Sequence, residues 1–175
     1  MNHPAAPRHI IFIGMPACGK STVGVLAAKT LGYRFIDSDL IIQERDGRRL
    51  HRIIREEGQE GFLKIEEAVN LTLGNDPVPS VIATGGSAVY SPAAMAHFKE
   101  IGTVVYLRLS FETVQRRLGN FTHRGVVMPA GYTLRDLYEE RCALYEKYAD
   151  ITVDEGQTDN LGAVLESLCA HFECD

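Results

Sequence analysis

Two rhythms of hydrophobic positions alternate along the chain: short apolar runs, then longer stretches in which apolar residues return every third or fourth position. His9–Ile13 is a short apolar run ending at Gly14, the pattern of a buried strand. Over Lys20–Leu31 the residues Val23, Leu26, Ala27 and Thr30 fall at helical spacing, and Gly32 stops the helix. Residues 33–36 are a second strand, with Asp37, Ser38 and Asp39 at its carboxyl end. Residues 50–57 place Leu50, Ile53 and Ile54 on one helical face and stop at Gly58; residues 61–73 align Phe62, Ile65, Val69 and Leu73 on another. Residues 74–79 have the composition of a turn. Ser80–Ala83 is a strand followed by Thr84-Gly85-Gly86-Ser87, and Ser91 and Pro92 have the chemistry of a helix cap and first residue. Residues 103–109 are the most β-rich run. Phe111–Leu118 and Leu134–Tyr148 are helices, residues 151–153 a last strand and Leu161–Phe172 a last helix.

Residues 119–132 break the rhythm. With Gly119, Gly125, Gly131 and Pro129 and little periodicity, they read as a mobile loop. Elsewhere strands alternate with helices, which predicts an α/β fold: a three-layer α/β/α arrangement with a parallel sheet covered on both faces. Ligands of such sheets bind at the carboxyl ends of the strands. The loop after Ile13, Asp37 with Asp39, and Gly85 with Gly86 all follow strands, so all three are expected at one site.

Composition narrows the classes. At 175 residues the chain is long enough for one domain, 1–175. Its net charge of −5, with acidic and basic residues interspersed, argues against a nucleic-acid partner. No apolar run approaches a membrane span, and the start of the chain lacks the apolar segment of a secretory signal. Cys18, Cys142, Cys169 and Cys174 are scattered without a CxxC pair, and the histidines show no metal-ligand spacing. A reduced, cytoplasmic monomer acting on a small molecule is expected.

Gly14-Met15-Pro16-Ala17-Cys18-Gly19-Lys20-Ser21 matches the phosphate-loop pattern in full, and it has the strand before and helix after that the pattern requires. Its glycines let backbone N–H groups turn onto phosphates, and the following helix directs its positive end there. Lys20 is then expected on the outer phosphates of ATP and the Ser21 hydroxyl on Mg2+. Asp37 and Asp39 are two apart, which in an extended segment puts them on one face. One is expected to order Mg2+ and the other to accept a substrate proton; Asp37 or Ser38 also suits the cap of a helix starting near Leu40. Gly85 and Gly86 offer N–H groups to a γ-phosphate or a substrate. Among the arginines, Arg124 in the loop and Arg141 just beyond it stand out, because a loop that closes with a cation neutralises transition-state charge and excludes water. Cys18 tolerates a bland reading, as one of several small residues that fit between the loop glycines. No Asn-Lys-x-Asp is present, which excludes a guanine-reading switch GTPase.

Together with Phe35-Ile36-Asp37-Ser38-Asp39, Gly58-Gln59-Glu60-Gly61-Phe62, Ala83-Thr84-Gly85-Gly86-Ser87-Ala88-Val89 and Arg141-Cys142-Ala143-Leu144-Tyr145, these residues resemble the shikimate kinase family from His9 to about Phe172. The resemblance implies a five-stranded parallel sheet with a lid over the site, at about residues 119–132. It implies transfer of the γ-phosphoryl group of ATP to a hydroxyl of a small carboxylate-bearing metabolite, nominally shikimate to shikimate 3-phosphate. By the same resemblance Gly14, Ala17, Cys18, Gly19, Lys20, Ser21 and Thr22 serve ATP, and Arg117 or its neighbour stacks near adenine. Ser21 and Asp37 serve Mg2+; Asp39, Gly85, Gly86 and Arg141 serve the acceptor; Lys20, Asp39 and Arg124 carry catalysis.

Three positions depart from the family pattern. The arginine expected immediately after the Phe of Gly-x-x-x-Phe is Leu63, with Lys64 beside it; the third glycine of the triplet is Ser87; and the Arg-Pro-Leu-Leu of the lid is Arg124-Gly125-Val126-Val127. Losing one cation of a carboxylate clamp costs about 1.5–3 kcal/mol. Lys64 does not replace it, because successive helical residues point about 100° apart. The alternatives are a kinase for another small hydroxy acid or hydroxy amino acid such as homoserine, or a non-catalytic nucleotide-binding relative.

Overall fold

The computed structural model describes residues 9–119, 126–154 and 161–172. Five strands, β1 (His9–Ile13), β2 (Arg34–Asp37), β3 (Ser80–Ala83), β4 (Gly102–Arg108) and β5 (Ile151–Asp154), form one sheet in the order β2-β3-β1-β4-β5. Every pairing is parallel. Each crossover therefore needs a covering element, and the helices supply it: α1 (Lys20–Leu31), α2 (Ser38–Asp46), α3 (Leu50–Asn70), α4 (Pro92–Ile101), α5 (Phe111–Leu118), α6 (Leu134–Tyr148) and α7 (Leu161–Phe172). The unbroken apolar runs of β1 and β3 are buried along their whole length, as strands covered on both faces must be. Among the described residues no helix is long and apolar enough to cross a membrane.

Two strands are displaced by one residue from the sequence expectation. β2 takes in Asp37 because that residue still pairs with Ala83, and β4 begins at Gly102 because it pairs with His9. A larger difference lies in α3, where the two expected helices form one run, Leu50–Asn70. Gly58 nevertheless breaks it: its φ of 69° and ψ of −179° are non-helical, so the two halves meet at a kink. Those angles belong to a region that residues with a Cβ avoid. The kink matters to the site, because Leu50 from one half and Phe62 and Glu66 from the other line the same cavity. Gly58→Ala has no steric clash within 4 Å to relieve, so its cost is conformational. It is expected to lower unfolding stability by about 1–3 kcal/mol, read from urea denaturation; a change within experimental error would mean that the kink carries no strain.

Because β3 sits between β2 and β1, the loops after all three strands open onto one edge of the sheet. Ser91 caps α4 by accepting from the Ala94 N–H, with Pro92 in the first turn. Thr133 and Asp136 form a reciprocal capping box that starts α6. These caps set where the loops end and therefore where their side chains lie.

Candidate active site

At that edge lies a cavity of about 510 Å³. Its floor is the loop between β1 and α1. Gly14 has no room for a side chain: a Cβ there would stand 2.7 Å from the Leu107 carbonyl oxygen. Ala17 is the one described non-glycine residue with positive φ, at 63°, which curls the loop inward. Gly19 precedes α1 as its N-cap and brings no side chain to it, so the first-turn N–H groups are left for a ligand. Lys20 is buried and donates from Nζ to the carbonyl oxygens of Gly14 at 2.7 Å and Met15 at 2.9 Å. Cys18 is fully buried beneath the loop, with its Sγ 3.6 Å from Lys20 Nζ, so an accessible thiol there is ruled out. Arg117 reaches back from α5 and donates to the Ala17 carbonyl at 3.3 Å.

The acidic residues after β2 divide their work by atom. Asp37 caps α2, its Oδ1 accepting from the N–H groups of Asp39 at 3.0 Å and Leu40 at 3.3 Å. Its Oδ2 accepts from the Ser21 hydroxyl at 2.7 Å. Capping and a place beside the phosphate loop are thus both satisfied by one carboxylate, and the helix begins at Ser38 rather than near Leu40. The Asp39 carboxyl lies deeper. Burial, reinforced by the Asp37 carboxylate and opposed by Lys20, pushes it up to about 6.

Gly85 contributes closeness rather than the open N–H group expected of it, and Gly86 is packed as tightly. The Gly85 N–H already donates to Ser38 Oγ at 3.0 Å. Its Cα presses against two carboxyl groups: an added Cβ would lie 2.2 Å from Glu66 Oε1 and 3.0 Å from Asp39 Oδ1. A Cβ on Gly86 would lie 2.8 Å from Pro16 and 3.1 Å from Arg141 Nη1. Tyr145 holds this turn in place by donating to the Gly86 carbonyl at 2.6 Å.

Arg141 comes from α6 and is 1% exposed. It donates through Nη2 to the Val127 carbonyl at 2.6 Å and through Nε to the Tyr90 hydroxyl at 3.3 Å. Val126 and Val127 roof the cavity. The adjacent Glu140 accepts from Tyr90 at 2.6 Å and from Tyr132 at 2.9 Å, so α6 grips both ends of residues 126–132. Arg124 lies outside the described residues, as does most of the early part of the expected lid.

Sequence reasoning missed Glu66. It is 1% exposed and lines the cavity, with Oε2 accepting from the Ser87 hydroxyl at 2.7 Å. Burial, with a smaller push from Asp39, raises it to about 7 against the opposing Ser87, Arg141 and Lys20. Its signal was present in the pattern: Phe62, Glu66 and Val69 share a buried helical stripe, and a carboxylate there calls for an explanation. Leu63 and Lys64, by contrast, do not line the main cavity. Both open onto a second cavity of about 250 Å³ on the far side of Glu66 and Ser87.

The chain is similar in sequence and fold to known proteins. The family model described as shikimate kinase matches residues 16–171. A shikimate kinase of Paracidovorax citrulli is 36% identical over 99% of this chain and 95% of its own length. One of Thiobacillus denitrificans is 40% identical over 83% of this chain and 80% of its own length. Among solved structures, the shikimate kinase of Acinetobacter baumannii in complex with shikimate superposes with a TM-score of 0.85 at 30% identity, over 95% of this chain and 93% of that one. A gluconokinase of Sinorhizobium meliloti, at 19% identity and a TM-score of 0.58, shares the fold. A phosphate loop at the end of β1, carboxylates after β2 and a buried arginine on α6, joined by this similarity along nearly the whole sequence, identify the chain as a member of the shikimate kinase family.

Proposed function

We propose that the protein transfers the γ-phosphoryl group of ATP to a hydroxyl of a small carboxylate-bearing acceptor, with shikimate, giving shikimate 3-phosphate, as the leading candidate. The observation that carries this reading is the meeting of Lys20, Asp39 and Arg141 on one cavity. The first-turn N–H groups of α1 and Lys20 bind the outer phosphates, with Lys20 exchanging its two carbonyl partners for phosphate oxygens. Thr22, Gly19 and the Ala17 backbone complete the nucleotide cradle, and Arg117 covers the base side. Arg141 receives the acceptor carboxylate beside Gly86. Asp39 receives the acceptor hydroxyl: as that oxygen bonds to the γ-phosphorus and the bond to the β,γ-bridging oxygen breaks, the hydroxyl proton passes to Asp39 and ADP leaves. Arg124 adds its charge from the lid, and Val126 and Val127 keep water out.

Ser21 and Asp37 suit Mg2+. They present two hard oxygen donors 2.7 Å apart, and among the described residues no group of three or more metal-type ligands competes. A magnesium ion held by one or two protein oxygens and substrate phosphates is the usual arrangement. When bound, the ion neutralises charge on the phosphates. The protein acts in the cytoplasm as a monomer.

A coupled ADP-release assay across shikimate, homoserine and gluconate tests the reading. Turnover of homoserine without shikimate turnover moves it to a hydroxy amino acid, which Leu63 beside Glu66 favours; no turnover of any acceptor sinks it. The proton step makes a further prediction. Asp39 has to be ionised to accept the proton, and it ionises at about 6 rather than at its usual 3.8. Below that point kcat/KM for the acceptor is expected to fall about tenfold per pH unit. A profile flat down to pH 5 would remove Asp39 from that role.

A further inference from the structure

The second half of α3 carries a stripe that the main cavity does not use. Glu60, Leu63, Lys64, Glu67 and Asn70 recur at helical spacing and line the cavity of about 250 Å³, whose other wall is the 3-10 turn Ala88–Tyr90 with Ser91. None of these α3 residues lines the main cavity. The two cavities share only Glu66 and Ser87, and the hydrogen bond from Ser87 to Glu66 closes the wall between them.

Asn70 is the residue that packing leaves unexplained. It is fully buried, between the apolar Val69 and Leu73 on the same helix end, and an apolar side chain would fill its place. Yet neither its Nδ2 nor its Oδ1 has a hydrogen-bond partner among the described residues. Leaving both unmet is costly, so the amide calls for a partner from the cavity it lines. An amide offers donors and an acceptor side by side, and another carboxamide meets both at once. A carboxylate does not: it brings no donor for Oδ1, and Glu60, Glu66 and Glu67 already ring this space with carboxyl groups. Leu63 and Ala88 add apolar lining. Glu67 is engaged by the Ser91 hydroxyl. Lys64 and Glu60 stand exposed one helical turn apart, a cation beside an anion. That pairing matches a zwitterion and disfavours a ligand of net negative charge.

We propose that this second cavity is a ligand site, separate from the acceptor site, for a small free amino acid with a carboxamide side chain. Asn70 pairs with the carboxamide, Lys64 takes the α-carboxylate and Glu60 the ammonium. The site does not depend on which acceptor the kinase uses.

Isothermal titration of the full chain with glutamine, with glutamate as the control, tests it. Glutamine is expected to bind saturably with a Kd of about 1 mM or tighter, and glutamate at least about tenfold more weakly. Asn70→Leu removes the amide at similar bulk. It is expected to weaken glutamine at least about tenfold and to raise the Tm of the ligand-free protein by about 2 °C or more, because two unmet polar atoms leave the interior. Lys64→Gln is an exposed change that serves if Asn70→Leu does not fold; it is expected to weaken glutamine about two- to fivefold. Saturating shikimate is expected to change glutamine affinity by less than about threefold, since the cavities are walled apart. Absence of saturable binding, equal affinity for glutamate, unchanged affinity in both variants, a lowered Tm in Asn70→Leu, or displacement of glutamine by shikimate would overturn the inference. Each of these is read without turnover, so the inference and the kinase reading fail separately.

Discussion

Lys20→Met is expected to lower kcat by about a hundred- to a thousandfold, or beyond detection, at saturating acceptor. The ammonium is held at the phosphate loop itself, bonded to the carbonyls of Gly14 and Met15. It is buried within 2.9 Å of both, with Cys18 Sγ 3.6 Å away. In phosphoryl transfer the chemistry is mostly positioning and charge neutralisation, so a cation preorganised in a secluded cavity contributes more than it would in water. Methionine keeps the bulk and the helix propensity and removes the charge. Two readouts separate the effects: ADP release reports the chemical step, and equilibrium binding of a fluorescent ATP analogue reports ground-state affinity. A variant with kcat within tenfold of wild type would mean that Lys20 serves only to brace the loop carbonyls.

The second large effect is expected at Arg141. Arg141→Met is expected to raise acceptor KM by about ten- to a hundredfold through the lost charge-assisted contact. It is also expected to destabilise the fold, because the guanidinium is buried and holds the Val127 carbonyl and the Tyr90 hydroxyl. Leaving those groups unmet costs about 1–3 kcal/mol. Arg141→Lys distinguishes the two roles. It retains a positive charge for the carboxylate but not the planar fork that reaches both protein partners. A lysine variant with wild-type thermal stability and a raised acceptor KM would show that the fork serves the acceptor first. Wild-type acceptor KM in both variants would remove Arg141 from acceptor binding.

Much of this architecture is legible in the chain because its signals are local. The phosphate loop is eight consecutive residues whose geometry follows from glycine placement and the flanking strand and helix. The helix starts at Ser91 and Thr133 depend on side chains that cap their own backbones within three residues. Gly58 is a stop in conformation, as its place in the pattern predicts, yet hydrogen-bonded helix continues on either side of it. β2 runs one residue past its expected end, because polar Asp37 carries no strand signal and only its pairing with Ala83, far along the chain, makes it strand.

The site divides in the same way. Asp37 poses a choice between capping and ligand binding that sequence spacing cannot resolve; in the fold one oxygen caps α2 and the other accepts from Ser21 beside the phosphate loop. The angular separation of Leu63 and Lys64 on a helix is a local property. Their shared position behind Glu66 follows from how α3 packs against the turn after β3. Glu66 itself looked like an ordinary charged residue among others on α3. Hydrophobic period, capping and glycine conformation act over a few residues, so the order of residues alone announces a parallel α/β kinase fold around a phosphate loop. That Glu66, Asp39 and Gly85 meet is a consequence of packing between distant segments. Burial, and the raised carboxyl groups it produces, depend on surroundings assembled from segments far apart in the chain.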